Sequence, residues 1–290
     1  MLTAHFSPAV SARPEPLPAG VEERHLPIHT LSGEYKRWAD RLLALFKGLA
    51  VDGIEWSLKL QPSGLTANRF LLGLQRENLS RLDFKRMPAE LAMPPAIWSA
   101  VLRELPQAEA LYIAFEPTES AFSYRLYVEP PAVPLALRRQ GVGFQACGYK
   151  WDPRAGGAGV VTRYREQVLD SREAFGAAME SLLAGVSHDG MRSFSRALLS
   201  QACAQADPAG FLVMAADETG SARDSCTVTF TGTSLSVQAW VPELIRLAEG
   251  AALPVGDVMA AFVADDPRDV RSLAFGRARD GEEFVTFYYG

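Results

Sequence analysis

Glu55 and Lys59 lie four positions apart in Glu55-Trp56-Ser57-Leu58-Lys59, a spacing that puts both on one face of an extended strand. Arg69, in Asn68-Arg69-Phe70, and Arg125, in Tyr124-Arg125-Leu126, add two cations in segments that also read as strands. Hydroxyls interleave with them in strand phase: Tyr112, Tyr127, Thr162, Tyr164, Thr227, Thr229 and Tyr288. Cations with phenols suit a diphosphate, which needs charge compensation and donors that stay protonated. Aromatic rings can also shield an allylic carbocation through their π faces. Glu55 among these cations would serve as a base or hydrogen-bond acceptor. On composition alone, a solvated sheet face with ordinary Lys, Arg and Thr accounts for the same residues, and Glu55 then pairs with Lys59.

These residues need a sheet to hold them. Helical periodicity is expected over 32–50, 88–104, 171–184, 192–206 and 241–263, the last broken at Pro254. Between them lie pairs of alternating runs: 53–61 with 67–76, 110–116 with 122–129, 143–151 with 159–167, 211–217 with 225–238, and 270–276 with 283–289. Turn residues join each pair, among them Pro62-Ser63-Gly64 and Asp280-Gly281. Hairpins separated by helices exclude a doubly wound parallel sheet, which needs single strands between crossovers. Ile54, Trp56, Leu58 and Leu60 share one face of the first strand; Glu55, Ser57, Lys59 and Gln61 share the other. Phe122, Tyr124, Leu126 and Val128 likewise oppose Ser123, Arg125 and Tyr127. Helices would cover the apolar faces. An open sheet would show the polar faces to water, whereas a closed barrel would turn them inward around a chamber. The expected fold is α+β, a closed antiparallel ten-stranded barrel with a polar lumen, surrounded by helices.

The 290 residues carry a net charge of -5, which argues against a nucleic-acid footprint. Hydrophobic residues make up 48% of the chain, enough for a sizeable core. Cys147, Cys203 and Cys226 have neither disulfide nor zinc spacing and suit a reducing compartment. No signal-peptide pattern and no membrane-spanning apolar run is read, so a soluble, cytoplasmic protein is expected. Residues 1–28, rich in Pro, Ala and Glu, read as a flexible arm before a single domain over 29–290. A closed barrel needs no partner to cover an edge, so a monomer is expected.

Other motifs fail their context tests. Asp265-Asp266-Pro267-Arg268-Asp269 matches an aspartate-rich magnesium-diphosphate signature, but a proline interrupts it and strands follow at once. His188 in Ser187-His188-Asp189-Gly190 reads as turn chemistry, and His5, His25 and His29 form no ligand spacing. The glycines at 156–159 open no helix. Cys147 and Cys226 occupy core strand positions, and Trp56 and Trp240 read as packing residues.

The run Glu55-Trp56-Ser57-Leu58-Lys59, followed by Leu65-Thr66-Ala67-Asn68-Arg69-Phe70-Leu71-Leu72, resembles the first hairpin of the cyanobactin-type peptide prenyltransferases. These are bacterial members of the aromatic prenyltransferase (ABBA) superfamily. Residues 123–128, the hairpin around Tyr164 and the end at Phe287-Tyr288-Tyr289 correspond more loosely, in order, from residue 30 onward. The resemblance implies Glu55 beside the acceptor nucleophile. It implies a diphosphate site of Lys59, Arg69, Arg125, Tyr127, Tyr164 and Tyr288. Trp56, Tyr112, Thr162, Met214 and Thr229 are counted as isoprene or acceptor pocket residues. Two positions depart from the pattern: Ser123 stands where another basic residue is expected, with Lys150 as its supplement, and Thr occupies aromatic positions in 225–231.

The function this implies is transfer of a dimethylallyl or geranyl group from its diphosphate to a side chain of a ribosomal peptide, linear or macrocyclic. Magnesium enters only as a diphosphate counter-ion, with no dedicated cage. The acceptor stays open among Tyr, Trp, Ser, Thr, His, Arg and chain termini. An Arg acceptor would call for further carboxylates, for which Glu116, Glu166 and Asp217 have the right phase. Two alternatives remain: a small-molecule phenol or indole prenyltransferase, and a non-catalytic barrel binding an anionic lipid or metabolite.

Overall fold

The computed structural model describes residues 31–117, 121–133, 137, 140, 143, 145–218, 221–262 and 268–290. The expected arm at 1–28, the histidines within and beside it, and Asp265-Asp266 lie outside these residues. Ten antiparallel strands close into a barrel in the order β1-β10-β9-β8-β7-β6-β5-β4-β3-β2. They are β1 (Gly53–Gln61), β2 (Gly64–Gln75), β3 (Ala110–Pro117), β4 (Phe122–Glu129), β5 (Gln145–Trp151), β6 (Val160–Gln167), β7 (Leu212–Asp217), β8 (Asp224–Thr229), β9 (Val270–Arg277) and β10 (Glu283–Tyr289). The helices are α1 (Gly33–Phe46), α2 (Arg76–Leu79), α3 (Met87–Glu90), α4 (Pro95–Glu104), α5 (Arg172–Ala184), α6 (Asp189–Gln205), α7 (Val241–Gly250) and α8 (Val255–Ala261).

The helix expected over 88–104 is two pieces, because Ala92 takes a left-handed φ of 44° and Pro94-Pro95 cannot continue a helical hydrogen-bond ladder. The strand expected over 225–238 stops at Thr229, where a turn with Gly232 at φ 75° leads to a short 3-10 segment, Val237–Ala239. The short helix α2 starts at Arg76, where the strand expected over 67–76 ends, and runs into a stretch expected to be loop. His188 is the N-cap of α6, its Nδ1 accepting from the Met191 amide at 3.3 Å, which agrees with its reading as turn chemistry.

By compactness the chain divides into two units. The first holds the described residues up to Trp56, with Asn68–Ala132 and Gln145–Arg163; the second holds Ser57–Ala67, the described part of 133–144, and Tyr164–Gly290. In the first unit the outward side chains of β2, β3, β4 and β5 form one core with α1 and α4. Phe70, Leu72, Ile113, Phe115, Tyr124 and Trp151 pack with Leu42, Phe46, Ile97 and Val101. Burying each such side chain stabilises the fold by roughly 1.5–3 kcal/mol. The Tyr124 hydroxyl, deep in this layer, donates to the Trp38 carbonyl at 2.6 Å, so the buried phenol is satisfied. Trp56, counted above among the pocket residues, packs against this outer core, as its own phase required.

In the second unit β8, β9 and β10 present Cys226, Val228, Leu273, Phe275, Val285 and Phe287 outward, all buried. Phe194 of α6 meets Trp240 and Phe287, with ring centroids 5.7 and 6.2 Å apart. Gly276 is required at the β8–β9 contact. Its φ is 127°, and a Cβ there would lie 2.3 Å from the Asp224 carbonyl oxygen. Among the described residues, no helix is long and apolar enough to cross a membrane.

Candidate functional site: a cation cluster and a carboxyl pair on the inner strand faces

Antiparallel register assembles the first unit's inner face. Gly73 pairs with Tyr112, and Tyr112 with Tyr127; Ala114 pairs with Arg125, and Arg125 with Lys150. Glu116 stands opposite Ser123, and Arg69 lies one residue beyond the Phe70–Phe115 pair. Three cations therefore converge on one carboxylate. Arg69 Nη2 is 2.8 Å from Glu116 Oε1, and Arg125 Nη2 and Lys150 Nζ are 3.2 and 3.1 Å from Oε2. Arg69, Arg125 and Glu116 are 7%, 9% and 7% exposed. Burial by itself would raise the Glu116 carboxyl; Arg125, Lys150 and Arg69 outweigh it and hold it well below the usual carboxylate range. Lys150 keeps 38% of its side-chain surface exposed, so solvent moderates the downward push of enclosure and of the two guanidinium groups on its ammonium. Arg125 Nη1 also donates to the Tyr127 hydroxyl at 3.0 Å.

Four residues along the same strands, about 13 Å away, the inner face changes character. A small apolar patch of Leu71, Ala110, Tyr112 and Ala114, with Tyr127 against it, runs from the level of Arg125 to that of Glu129. Glu129, 2% exposed, lies four residues beyond Arg125 on β4, near enough to Glu55 of β1, 5% exposed, to be repelled by it. The Tyr112 ring lies across Gly73, where a Cβ would sit 2.6 Å from its Cε1, and its hydroxyl bonds Glu129. Gln75 Nε2 approaches the same hydroxyl at 3.4 Å. Burial first, and then repulsion from Glu55, push the Glu129 carboxyl well above its usual range; the bond from Tyr112 opposes them.

A carboxyl raised in the folded chain keeps a proton that the unfolded chain gives up. Its stabilising contribution is complete below the unfolded pKa, about 4.3, and is lost as pH rises through the folded value. Wild type should therefore lose stability relative to Glu129→Gln on going from about pH 4 to about pH 9. Denaturant titrations of both chains across that range check this; parallel curves would mean that Glu129 is ionised when folded.

The second unit holds other expected residues. Lys59 Nζ lies 4.9 Å from the Phe284 ring centroid. Tyr288 pairs with Ser272, and Met214 with Thr227. Thr229 and Ser272 share a buried hydroxyl bond of 3.0 Å. Tyr164 faces Arg223, whose guanidinium carbon is 6.0 Å from its ring centroid. Arg223 in turn bonds Glu218 at 2.8 Å and Ser225 at 3.1 Å. Thr162, in the first unit, is buried at 2% exposure.

Of the carboxylates considered for an arginine acceptor, Glu116 already holds the chain's own guanidinium groups, and Asp217 pairs with Arg165 at 3.5 Å at an exposed position. Glu129 and Arg223 are not among the candidates read from the sequence, and Lys150 is among them only as a supplement. All three have strand phase as their signal. Glu129 follows Arg125 and Tyr127 at the same period, and Arg223 precedes Ser225 and Thr227.

No family model matches the chain, and no curated protein matches it. Solved structures do. AnaPT from Neosartorya fischeri is 13% identical over 84% of this chain and 78% of its own, with a TM-score of 0.49. NotF in complex with brevianamide F and DMSPP is 12% identical over 82% and 80%, with a TM-score of 0.47. At these values the likeness carries no weight for the chemistry, and the barrel rests on this chain's own strand order. Among the described residues, no group of three or more His, Cys, Asp or Glu could hold a metal ion. The cation cluster is a poor fit for magnesium as well: Glu116, its carboxylate, is already bonded to Arg69, Arg125 and Lys150.

Proposed function

We propose that the chain is a prenyltransferase that binds an isoprenyl diphosphate on Arg69, Arg125 and Lys150 and passes the isoprenyl group to a peptide side chain held at Glu55. The observation that carries this is the convergence of the three cations on an inner face, beside an apolar patch on the same strands, with Glu55 buried on the neighbouring strand β1. When the allylic C1–O bond breaks, negative charge grows on the leaving diphosphate. Cations already fixed by Glu116 and Tyr127 meet that charge without reorganising, which favours the transition state over the ground state. The Arg125–Tyr127 bond holds one guanidinium in a set orientation. Leu71, Ala114 and the Tyr127 ring offer the isoprenyl tail an apolar bed, and aromatic faces nearby favour developing allylic cation. Glu55 then takes the proton that the acceptor loses as its new bond to C1 forms.

The peptide acceptor follows from the resemblance of the 55–72 hairpin; a phenol or indole small molecule would use the same inner face. The test is mass spectrometry of the full chain with dimethylallyl or geranyl diphosphate, linear and cyclic peptides, and free phenols and indoles. An isoprene mass added to a peptide supports the reading, and addition to the small molecules alone moves it to the second class. If nothing is transferred and no calorimetric binding of a thiolo-diphosphate analogue is seen, the diphosphate site is wrong and only the barrel stands; analogue binding without transfer favours the non-catalytic anion-binding barrel.

A further inference from the structure

Glu129 is a buried carboxyl that the transfer chemistry above does not use. Its Oε2 is enclosed and has no hydrogen-bond partner, while the Tyr112 hydroxyl bonds the side chain. The charged group that acts on it is Glu55, of like sign. Nothing about packing calls for this, because a leucine or glutamine at 129 would spare the barrel a confined pair of carboxyls. A neutral acceptor such as a phenol or indole needs one proton acceptor, which Glu55 supplies. A second carboxyl near enough to repel it, with a buried oxygen that lacks a hydrogen-bond partner, suits a ligand rich in N–H donors and carrying positive charge.

Resting on the prenyl-transfer reading, we propose that Glu55 and Glu129 form the acceptor site for a guanidinium, so that the modified side chain is an arginine. A planar guanidinium presents several N–H groups in a fixed fork and can bridge two carboxylates, which a point-like ammonium does less well. Gln75 and the Tyr112 hydroxyl border the site and add neutral polar contacts. Binding the cation repays the carboxyl pair for its confinement, and Glu129 gives up its proton as the guanidinium arrives. In the transfer step the C1–O bond of the allylic diphosphate breaks and a guanidine nitrogen bonds to C1. That nitrogen's proton passes to the Glu55 carboxylate, and diphosphate leaves. The product remains a guanidinium, so charge balances through the proton on Glu55.

The test is calorimetric titration of the full chain with Nα-acetyl-arginine methylamide and with its citrulline counterpart, a neutral isostere. It is run with and without a thiolo-diphosphate analogue, in two buffers of different ionisation enthalpy. The expected result is arginine binding about 10- to 100-fold tighter than citrulline, with proton release on binding. In Glu129→Gln the preference and the proton release should both disappear. The variant's fold is checked by its thermal melt, and the wild-type comparison of the two ligands needs no variant. Equal affinity for arginine and citrulline, no binding of arginine in either condition, or an unchanged preference in Glu129→Gln would each overturn the proposal. Failure of the underlying reading looks different: arginine then binds with proton release, but no isoprene is transferred and no thiolo-diphosphate is bound. Transfer to tyrosine or tryptophan peptides with no arginine preference would keep prenyl transfer and reject the guanidinium.

Discussion

Glu116→Gln is expected to destabilise the chain by about 3–5 kcal/mol and to recover much of that loss when inorganic diphosphate is added. The wild-type carboxylate sits within 3.2 Å of Arg69, Arg125 and Lys150 at 7% exposure, so neutralising it leaves buried like charges facing one another. An anion that binds only the folded chain then stabilises it by mass action, and by more where the repulsion is larger. Urea titrations of both chains, with diphosphate and with sulfate as a comparison, check this. Equal stability of the two, or equal gains from diphosphate, would remove the electrostatic account of the cluster. The acid limb supplies a second reading. Because the Glu116 carboxyl is held below its unfolded value, its contribution is present above that value, about 4.3, and is lost as pH falls through the folded pKa. The variant should lack this part of the acid dependence.

Glu55→Gln is expected to lower isoprenyl transfer by about 10²- to 10⁴-fold while thiolo-diphosphate still binds. Glu55 is 5% exposed, close enough to repel Glu129, and on the same inner phase as Lys59. The amide keeps the shape and can still accept a hydrogen bond, but it cannot take a proton as the acceptor attacks. Single-turnover transfer alongside analogue binding separates the two roles. If transfer persists, the proton goes elsewhere, and Glu129 becomes the first alternative. If analogue binding is lost as well, Glu55 shapes the diphosphate site rather than the acceptor.

The period-2 pattern that revealed the barrel is a local property. Successive Cβ atoms point to opposite sides of a strand whatever lies beyond it, so Leu58 and Leu60 had to leave Glu55 and Lys59 on the other face. Turn residues such as Asp280-Gly281 are equally local, and so is the break at Pro94-Pro95. The outward face of β6 shows where this reasoning thins: Val161 is 46% exposed and Arg163 and Arg165 are exposed too, so no apolar alternation marks that strand.

Strand phase was thus readable for Glu55, Arg69, Arg125, Tyr127 and Tyr164, and by the same rule it extended to Glu129 and Arg223. Pairing was not. Glu116 meets Arg69, 47 residues away in the chain, because β2 and β3 pair in one register; a shift of two residues would keep every face and break that contact. Which carboxylate neutralises the cations, and which is left beside Glu55, depends on hydrogen bonds between strands far apart in sequence. Local sterics determine the side on which a charge lies; only the closed set of registers decides which charge it meets.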